Sequence, residues 1–442
     1  MKRINFVTLG CSKNDVDTSL MKSILNKDRY DVTTDVREAE IIIVNTCGFI
    51  DSAKEESIDT TLECAKFKEN DFGKCEKLIL AGCLAQRYPE ELLEAMPEVD
   101  GILGTGNIKD LNNFLDKIYA DDKIIKADNI NDEYIEGLRK NKNEILKTEY
   151  VKISEGCNNN CTYCIIPKLR GKNRSRKIED VIDEVNYLAE NGTEEIILIA
   201  QNTTDYGIDN YKEYKLHELI KKISEIEKIR WIRVMYLYPD HFTDELINEF
   251  KNNDKLVKYV DIPLQHISDN VLNKMNRRTN TADISRLIGR LRNNIDGMVI
   301  RTTFIVGFPG ETEEDFNTLL QFIKDNPIDK VGAFKYSREE DTLAFNMENQ
   351  VDEEIKEKRL NRLMEEQISI SEKMLENNIG RQLDVLIEEN AGNNIYVGRS
   401  YMDAPEIDGV VYVNSSRELK IGEFVKVKIN ETLEYDLVGE LI

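Results

Sequence analysis

No stretch of this chain is apolar for long enough to cross a bilayer. A membrane helix needs about 20 apolar residues, and the runs IIIV (41–44) and IILIA (196–200) are strand-sized. The N-terminus, MKRINFVTLGC, has neither the long apolar core nor the small-residue cleavage site of a signal peptide. A cytoplasmic protein is expected, a setting where structural disulfides are rare and cysteines more often bind metal or do chemistry. A basic surplus is also missing: 83 acidic residues face 60 basic ones, for a net charge of −23. Nucleic-acid binders usually show a basic domain or stripe. The balance therefore weighs against a large polyanionic partner and leaves room for a basic protein partner, although one local patch would suffice for RNA contact. Histidine is scarce, with only His217, His241 and His266, and none is close to a cysteine in sequence. No internal repeat is present, which excludes a solenoid.

What is there is a chain of 442 residues, 40% hydrophobic and 32% charged. That suffices for about three domains with ample core. Residues 1–120 alternate strand candidates (Ile4–Leu9, Ile41–Val44, Leu78–Ala81) with helical patterns, which predicts a parallel sheet with crossover helices. Residues 121–147 are polar and aperiodic and read as a linker. Over 148–376 six more strand candidates follow: Val151–Ser154, Glu195–Ala200, Trp231–Tyr236, Lys258–Ile262, Met298–Val306 and Val331–Tyr336. Helical patterns such as Ile178–Glu190 and Asp315–Ile323 separate them, and the charged helix Asp352–Glu376 ends the region. Six βα units predict a barrel or partial barrel with its chemistry on the loops after the strands. Residues 377–442 contain short alternating strands between Gly and Asn turns, the pattern of a small all-β barrel. The fold class is thus α/β, with that barrel appended.

Chemistry concentrates in cysteine. The stretch EGCNNNCTYC packs Cys157, Cys161 and Cys164 into eight residues, just after the first strand of the six. Structural zinc wants four ligands and finds no histidine here. A CxxC redox pair would use Cys161 and Cys164 and leave Cys157 idle. A four-iron, four-sulfur cluster held by three cysteines would keep one iron open to a ligand. The plainest alternative, cysteines merely sharing a turn, fits poorly with a loop as polar as Asn158–Asn160. A second set is Cys11, Cys47 and Cys83, each just past a strand and spaced 36 residues apart. Strand carboxyl ends in an open parallel sheet face one crevice, so these thiols can converge. The alternative is three small buried residues at strand ends. Cys64 and Cys75 match no pattern.

The CxxxCxxC spacing, with Tyr163 before the last cysteine, resembles the radical S-adenosylmethionine enzymes. With the second triad and the C-terminal barrel, which looks like a TRAM domain, the whole chain resembles the methylthiotransferases. The resemblance implies two 4Fe-4S clusters, one on Cys11, Cys47 and Cys83 and one on Cys157, Cys161 and Cys164. It implies S-adenosylmethionine as methyl donor and radical source, with the second cluster presenting the sulfur. An electron donor such as flavodoxin or ferredoxin is implied too. GFPGET (307–312), PLQH (263–266) and AQNTTDYG (200–207) are similar to family segments, with Asn202 standing where the family pattern has Asp. Cofactor contacts are accordingly expected from Tyr163, Gln201, Arg233, Gln265, Gly307, Pro309 and Gly310. For GFPGET the residue types alone favour a plain strand-to-helix turn opening the helix at Asp315.

Two stretches resemble the RimO-type branch, which modifies an aspartate in a small-subunit ribosomal protein, the twelfth. They are GCSKN (10–14) and GRSYMDAPEIDG (398–409). The alternative branch modifies a transfer RNA adenosine. Residues 377–442 carry twelve acidic and six basic side chains, a poor balance for gripping phosphate but suited to a basic protein. Substrate contacts are expected from Arg170, Arg174 and Arg176 in the basic run KLRGKNRSRK, and from Asp403, Glu406 and Asp408 in an exposed acidic loop. The basic run reads equally well as a solvated loop.

Reconstituted without oxygen, the protein is expected to bind about eight irons. Alanine at Cys157, Cys161 and Cys164, or at Cys11, Cys47 and Cys83, should each remove about half. Iron analysis checks this, and an unchanged content in either triple variant would refute the cluster assignment.

Overall fold

The computed structural model describes residues 1–120, 123–128, 130–131, 139 and 145–442. The chain forms two compact units, Met1–Lys215 with Ser337–Phe345, and Leu216–Tyr336 with Asn346–Ile442.

The first unit opens with a six-stranded sheet: β1 (Lys2–Thr8), β2 (Tyr30–Val32), β3 (Ile41–Thr46), β4 (Lys77–Ala81), β5 (Gly101–Leu103) and β6 (Ile124–Lys126). The order is β2-β1-β3-β4-β5-β6 and every pairing is parallel. Such a sheet is covered on both faces, which is why Ile41–Val44 can be continuously apolar. Leu20, Met21, Leu111 and Phe114 pack on one face, and Leu84, Leu92 and Met96 on the other. Register fixes the carboxyl ends level with one another: Thr8 lies opposite Asn45, and Asn45 opposite Ala81. Cys11, Cys47 and Cys83 follow the ends of β1, β3 and β4 by one to three residues. The strand order reverses direction between β1 and β3, the place where open α/β sheets bind ligands.

β2, β5 and β6 are three residues long, too short to show a period in the sequence. β6 lies in the stretch read as a linker, where it adds an edge strand. Residues 121–122, 129, 132–138, 140 and 141–144 of that expected linker are outside the described residues. The same unit contains β7 (Thr148–Lys152), the short pair β8 (Ser154–Glu155) and β9 (Arg174–Ser175), and β10 (Glu195–Ile199) parallel to β7. The expected helix Ile178–Glu190 is present with those bounds.

The second unit holds the other four expected strands, β11 (Trp231–Val234), β12 (Tyr259–Asp261), β13 (Val299–Val306) and β14 (Lys330–Lys335). The last three are parallel neighbours. The helix Glu353–Glu376 follows. A closed barrel, β15-β16-β17-β19-β18, completes the chain with β15 (Gln382–Gly392), β16 (Ile395–Ser400), β17 (Val411–Asn414), β18 (Phe424–Thr432) and β19 (Leu437–Leu441). Closure removes free strand edges. Among the described residues no helix is long and apolar enough to cross a membrane.

The acidic segment 403–408 is not the exposed loop its composition suggested. Asp403 is buried and accepts from Lys330 Nζ at 2.7 Å and Ser400 Oγ at 2.8 Å. Asp408 accepts from Tyr259 OH at 2.7 Å and sits 3.5 Å from Arg301 Nε. Of the three carboxylates only Glu406 is exposed, in a left-handed conformation (φ 68°). Two of the three carboxylates thus join the barrel to β12, β13 and β14 within this unit, because a charge taken out of water must be paired. Burial opposes the charge on Lys330, but Asp403 and Asp408 outweigh it and hold its pKa above the ordinary value.

Asp403→Ala should therefore destabilise the second unit by roughly 3 kcal/mol by stranding Lys330. Glu406→Gln should stay within about 0.5 kcal/mol of the wild type. Urea unfolding checks the contrast, and equal midpoints for the two variants would contradict it.

Candidate functional site

The N-terminal triad is built by tight turns. Gly10 has φ 92°, and a Cβ there would lie 2.8 Å from Cys47 Cβ, so glycine is what lets the β1 turn approach Cys47. Gly82, φ 90°, would drive a Cβ to 2.3 Å from Asn45 Oδ1. Asn14 braces the turn after β1 and the end of β3: its amide donates to Leu9 O at 2.7 Å and Thr46 O at 3.2 Å. Ser57 accepts from Cys47 N at 3.0 Å and donates to Cys47 O at 3.0 Å. Cys11 is exposed, Cys47 half-buried and Cys83 buried.

Burial pushes the Cys83 thiol up to about 11, against the opposing pull of Arg170. Burial also raises Cys47. At Cys11 the cost of desolvation is outweighed by the Lys13 and Arg170 charges and two backbone N–H groups, so its pKa falls below the ordinary value. One cation, Arg170, acts on all three sulfurs.

Arg170 is held in a buried network. It donates to Asn14 Oδ1 at 2.7 Å, Asp17 Oδ2 at 2.8 Å, and both Glu155 oxygens at 3.2 Å. Lys152 makes short contacts with the same two carboxylates. Gln201 Nε2 donates to Glu155 Oε1 at 2.7 Å. Burial raises the pKa of Glu155, but Lys152 and Arg170 overcome this and hold it far below the carboxylate range. Two anions and two cations are thus neutralised together, and the network spans from the helix after Cys11 to the strand before Cys157.

The radical triad follows directly. Cys157 N donates to Gly171 O at 3.0 Å, Asn159 N points at Cys157 Sγ at 3.4 Å, and Cys164 N donates to Cys161 O at 3.0 Å. All three cysteines are half-buried, beside Tyr163. Cys83 packs against Ile165 and Leu169, which places the two triads in one neighbourhood.

All six cysteines are free thiols. Among the described residues, no three His, Cys, Asp or Glu side chains are grouped to share one metal ion. A four-iron cluster seats each thiolate on a different iron, which needs wider spacing than one shared ion. A donor set of three thiols beside one buried cation fits such a cluster. Gln201 Oε1 is also buried without a partner among the described residues, so a ligand donor would satisfy it. Asn202 is buried, accepts from Thr204 Oγ1 at 2.6 Å, and has no charge to offer where the family pattern has one.

In the basic run Lys168, Lys172 and Lys177 are exposed, whereas the three arginines turn into the fold. Arg170 is occupied as described. Arg176 is buried and engages Asp180, Glu184 and Lys152 O. Arg174 donates to Ile130 O and to Arg170 O. The expected substrate contacts of all three are corrected to internal ones, because each guanidinium is taken up by carboxylates or carbonyls of the fold.

The remaining expected cofactor residues lie in the second unit. Arg233 is fully buried, donates to Tyr401 O at 3.0 Å and stacks 4.7 Å from the Tyr259 ring centroid. Gln265 has φ 69°, pinned by backbone bonds to Thr303 O and from Ile305 N. A non-glycine residue so held is strained, and such strain gathers at functional sites. His266 is buried and its pKa is pushed down to about 3 by desolvation, so it is neutral; its Nδ1 accepts from Ser268 N at 3.0 Å. The GFPGET turn closes on itself. Glu311 accepts from Gly307 N and from Phe308 N at 3.0 Å and meets Arg359 at 3.2 Å. Lys356 backs Gly307 and Lys274 backs Gly310. The amides of Gly307 and Phe308 are therefore taken by the chain itself, which favours the structural turn for Gly307, Pro309 and Gly310.

Asp17, Lys152, Glu155 and Glu339 did not stand out in the sequence, and Asn14 did so only as the last residue of GCSKN. Glu339 is buried and accepts from Lys54 and Arg87, each at 2.9 Å, while Ala344 N donates to Thr162 O at 2.8 Å between two radical-triad cysteines. A lysine within an otherwise apolar strand, and the acid of EGC two residues before Cys157, were signals available for Lys152 and Glu155. Nothing in the sequence pointed to Glu339.

Comparison with known proteins agrees with this arrangement. The radical SAM superfamily model matches residues 151–323, the uncharacterized protein family UPF0004 matches 3–104, and the TRAM domain matches 379–442. A Clostridioides difficile (strain 630) protein named ribosomal protein uS12 methylthiotransferase RimO is 48% identical over 442 residues, covering 100% of this chain and 99% of the relative. The protein of that name from Clostridium perfringens (strain 13 / Type A) is 50% identical over 439 residues, covering 99% and 97%. Among solved structures, the radical S-adenosylmethionine methyltransferase TsrM from Kitasatospora setae aligns with TM-score 0.55 at 15% identity, covering 75% of this chain and 73% of that one, a likeness of fold. With near-complete coverage at about half identity, the chain belongs to the RimO family of radical SAM methylthiotransferases.

Proposed function

We propose that this protein attaches a methylthio group to the β-carbon of an aspartate side chain in ribosomal protein uS12, the substrate that its relatives' names carry. The observation that carries the reading is the pair of free-cysteine triads in one compact unit, joined through Arg170. Full-length relatedness to enzymes of that name supports it. The acidic balance of 377–442 argues against transfer RNA as the substrate.

Cys157, Cys161 and Cys164 would hold one four-iron cluster and Cys11, Cys47 and Cys83 the other. When bound, these clusters and S-adenosylmethionine supply the electron, the sulfur and the methyl group that no side chain can supply. The chain's own residues hold and orient. Arg170 keeps a positive charge beside the N-terminal thiols, Glu155 and Lys152 hold that guanidinium in place, and Gln201 offers one free acceptor next to Glu155. Ile165 and Leu169 pack apolar surface against Cys83 and limit water there.

Alanine at Cys11, Cys47 and Cys83 should leave reductive cleavage of S-adenosylmethionine intact and abolish methylthio transfer. Mass spectrometry of uS12 alongside nucleoside analysis of transfer RNA checks both the division of labour and the substrate. Transfer surviving in the triple variant, or a modified nucleoside in place of modified uS12, would overturn the reading.

Arg170→Gln leaves Asp17 and Glu155 to share the single cation Lys152 and should cost roughly 3–5 kcal/mol of stability. Adding Asp17→Asn should recover part of that loss, since both residues belong to one network. Denaturant unfolding of the two variants tests the coupling, and strictly additive effects would contradict it.

A further inference from the structure

The helix Asp51–Ala65 presents an unusual outer face. Asp51, Glu55, Ile58 and Leu62 follow one another at four-, three- and four-residue steps, so they form one stripe. Ile58 is 37% exposed and Leu62 44%, and Phe49 just before the helix is 38% exposed. A merely solvated helix face does not call for exposed large apolar side chains. Beside this stripe runs a groove of about 540 Å³, with Ile58, Leu84 and Tyr88 on its walls and Glu55, Glu91 and Glu340 at its rim.

The groove lies next to the N-terminal triad. Leu84 directly follows Cys83, and the helix begins four residues after Cys47. Its charge is predominantly acidic: Asp51, Glu55, Glu91 and Glu340 line it against two cations, Lys54, which is turned onto Asp51 and Glu339, and Arg338, whose guanidinium lies over the Phe345 ring. Among the described residues no cation pairs with Glu55 or Glu91. A protein that packs against ribosomal RNA carries surplus Lys and Arg, because phosphate neutralisation dominates such contacts. Apolar walls with an acidic rim match a segment of that composition and repel a nucleic acid.

We propose that this groove docks a basic segment of the ribosomal protein, so that its target aspartate is delivered beside Cys47 and Cys83. The proposal rests on the reading given under Proposed function and adds where the substrate is held.

The test measures affinity of purified uS12 for the reconstituted holoenzyme at about 50 mM and about 500 mM salt. Wild type is compared with the double variant Glu55→Lys/Glu91→Lys and with Ile58→Ser. At low salt the double variant should bind at least roughly tenfold more weakly and Ile58→Ser roughly threefold, with the charge effect shrinking at high salt. Cleavage of S-adenosylmethionine without uS12 should stay at the wild-type rate in both, showing that the fold and radical triad are intact. Unchanged affinity in both variants, or wild type failing to bind uS12, overturns the groove. Wild type that binds uS12 through the groove and transfers nothing overturns the reaction reading alone.

Discussion

Four buried charges hold the first unit to a single arrangement. Asp17, Lys152, Glu155 and Arg170 are each poor candidates for burial alone, and any one of them unpaired would be costly. Together they are neutral, and their geometry leaves little slack: Arg170 donates to Asn14, Asp17 and Glu155 at 2.7–3.2 Å. The network ties the helix after Cys11 to the strand before Cys157. It admits one relative placement of the helix after Cys11 and the loop before Cys157, and so it fixes how the two triads face each other. The arginine also acts on all three N-terminal thiols, so structural pairing and electrostatic support of the sulfurs come from one side chain.

That network explains why the site was only half legible in the sequence. Cysteine announces itself: the tight CxxxCxxC cluster and three strand-end cysteines spaced 36 apart need no fold to be noticed. The longer strands and helices were also readable, since periodicity and apolar runs report burial directly, and the helix 178–190 came out residue for residue. Charged residues are different. A lysine, an arginine or an aspartate has the same appearance in sequence whether it faces water or a buried partner 150 residues away. Arg170, Arg174 and Arg176 looked like a surface patch because six of ten residues there are basic; the carboxylate Asp17 that takes up Arg170 lies 153 residues away, Arg176 turns onto Asp180 and Glu184 of the following helix, and Arg174 is taken up by backbone carbonyls. Asp403 and Asp408 misled in the same way, since turn-forming residues around them suggested exposure.

The GFPGET segment shows the converse. Its glycines suggested a cradle for a ligand, yet the side chain of Glu311 reaches back to the amides of Gly307 and Phe308, and Lys356 fills the space behind Gly307. A turn that satisfies its own donors has a sufficient structural explanation. Gln265, by contrast, drew attention only by family likeness, and its left-handed backbone is the stronger physical argument for it.

The segment Ser337–Phe345 has a consequence for synthesis. It belongs to the first unit although it lies more than a hundred residues beyond Lys215, and its Glu339 supplies the only carboxylate contacting Arg87 among the described residues. The first unit therefore cannot be finished when its own main stretch has left the ribosome. At about 5–20 residues per second, the nascent chain waits on the order of ten seconds before Glu339 arrives. Through that interval Arg87 and Lys54 lack Glu339, and the carbonyl of Thr162, between two radical-triad cysteines, lacks its bond from Ala344 N. Six thiols are thus displayed on an incomplete scaffold, which is an opening for metal delivery and equally a period of exposure to oxidants.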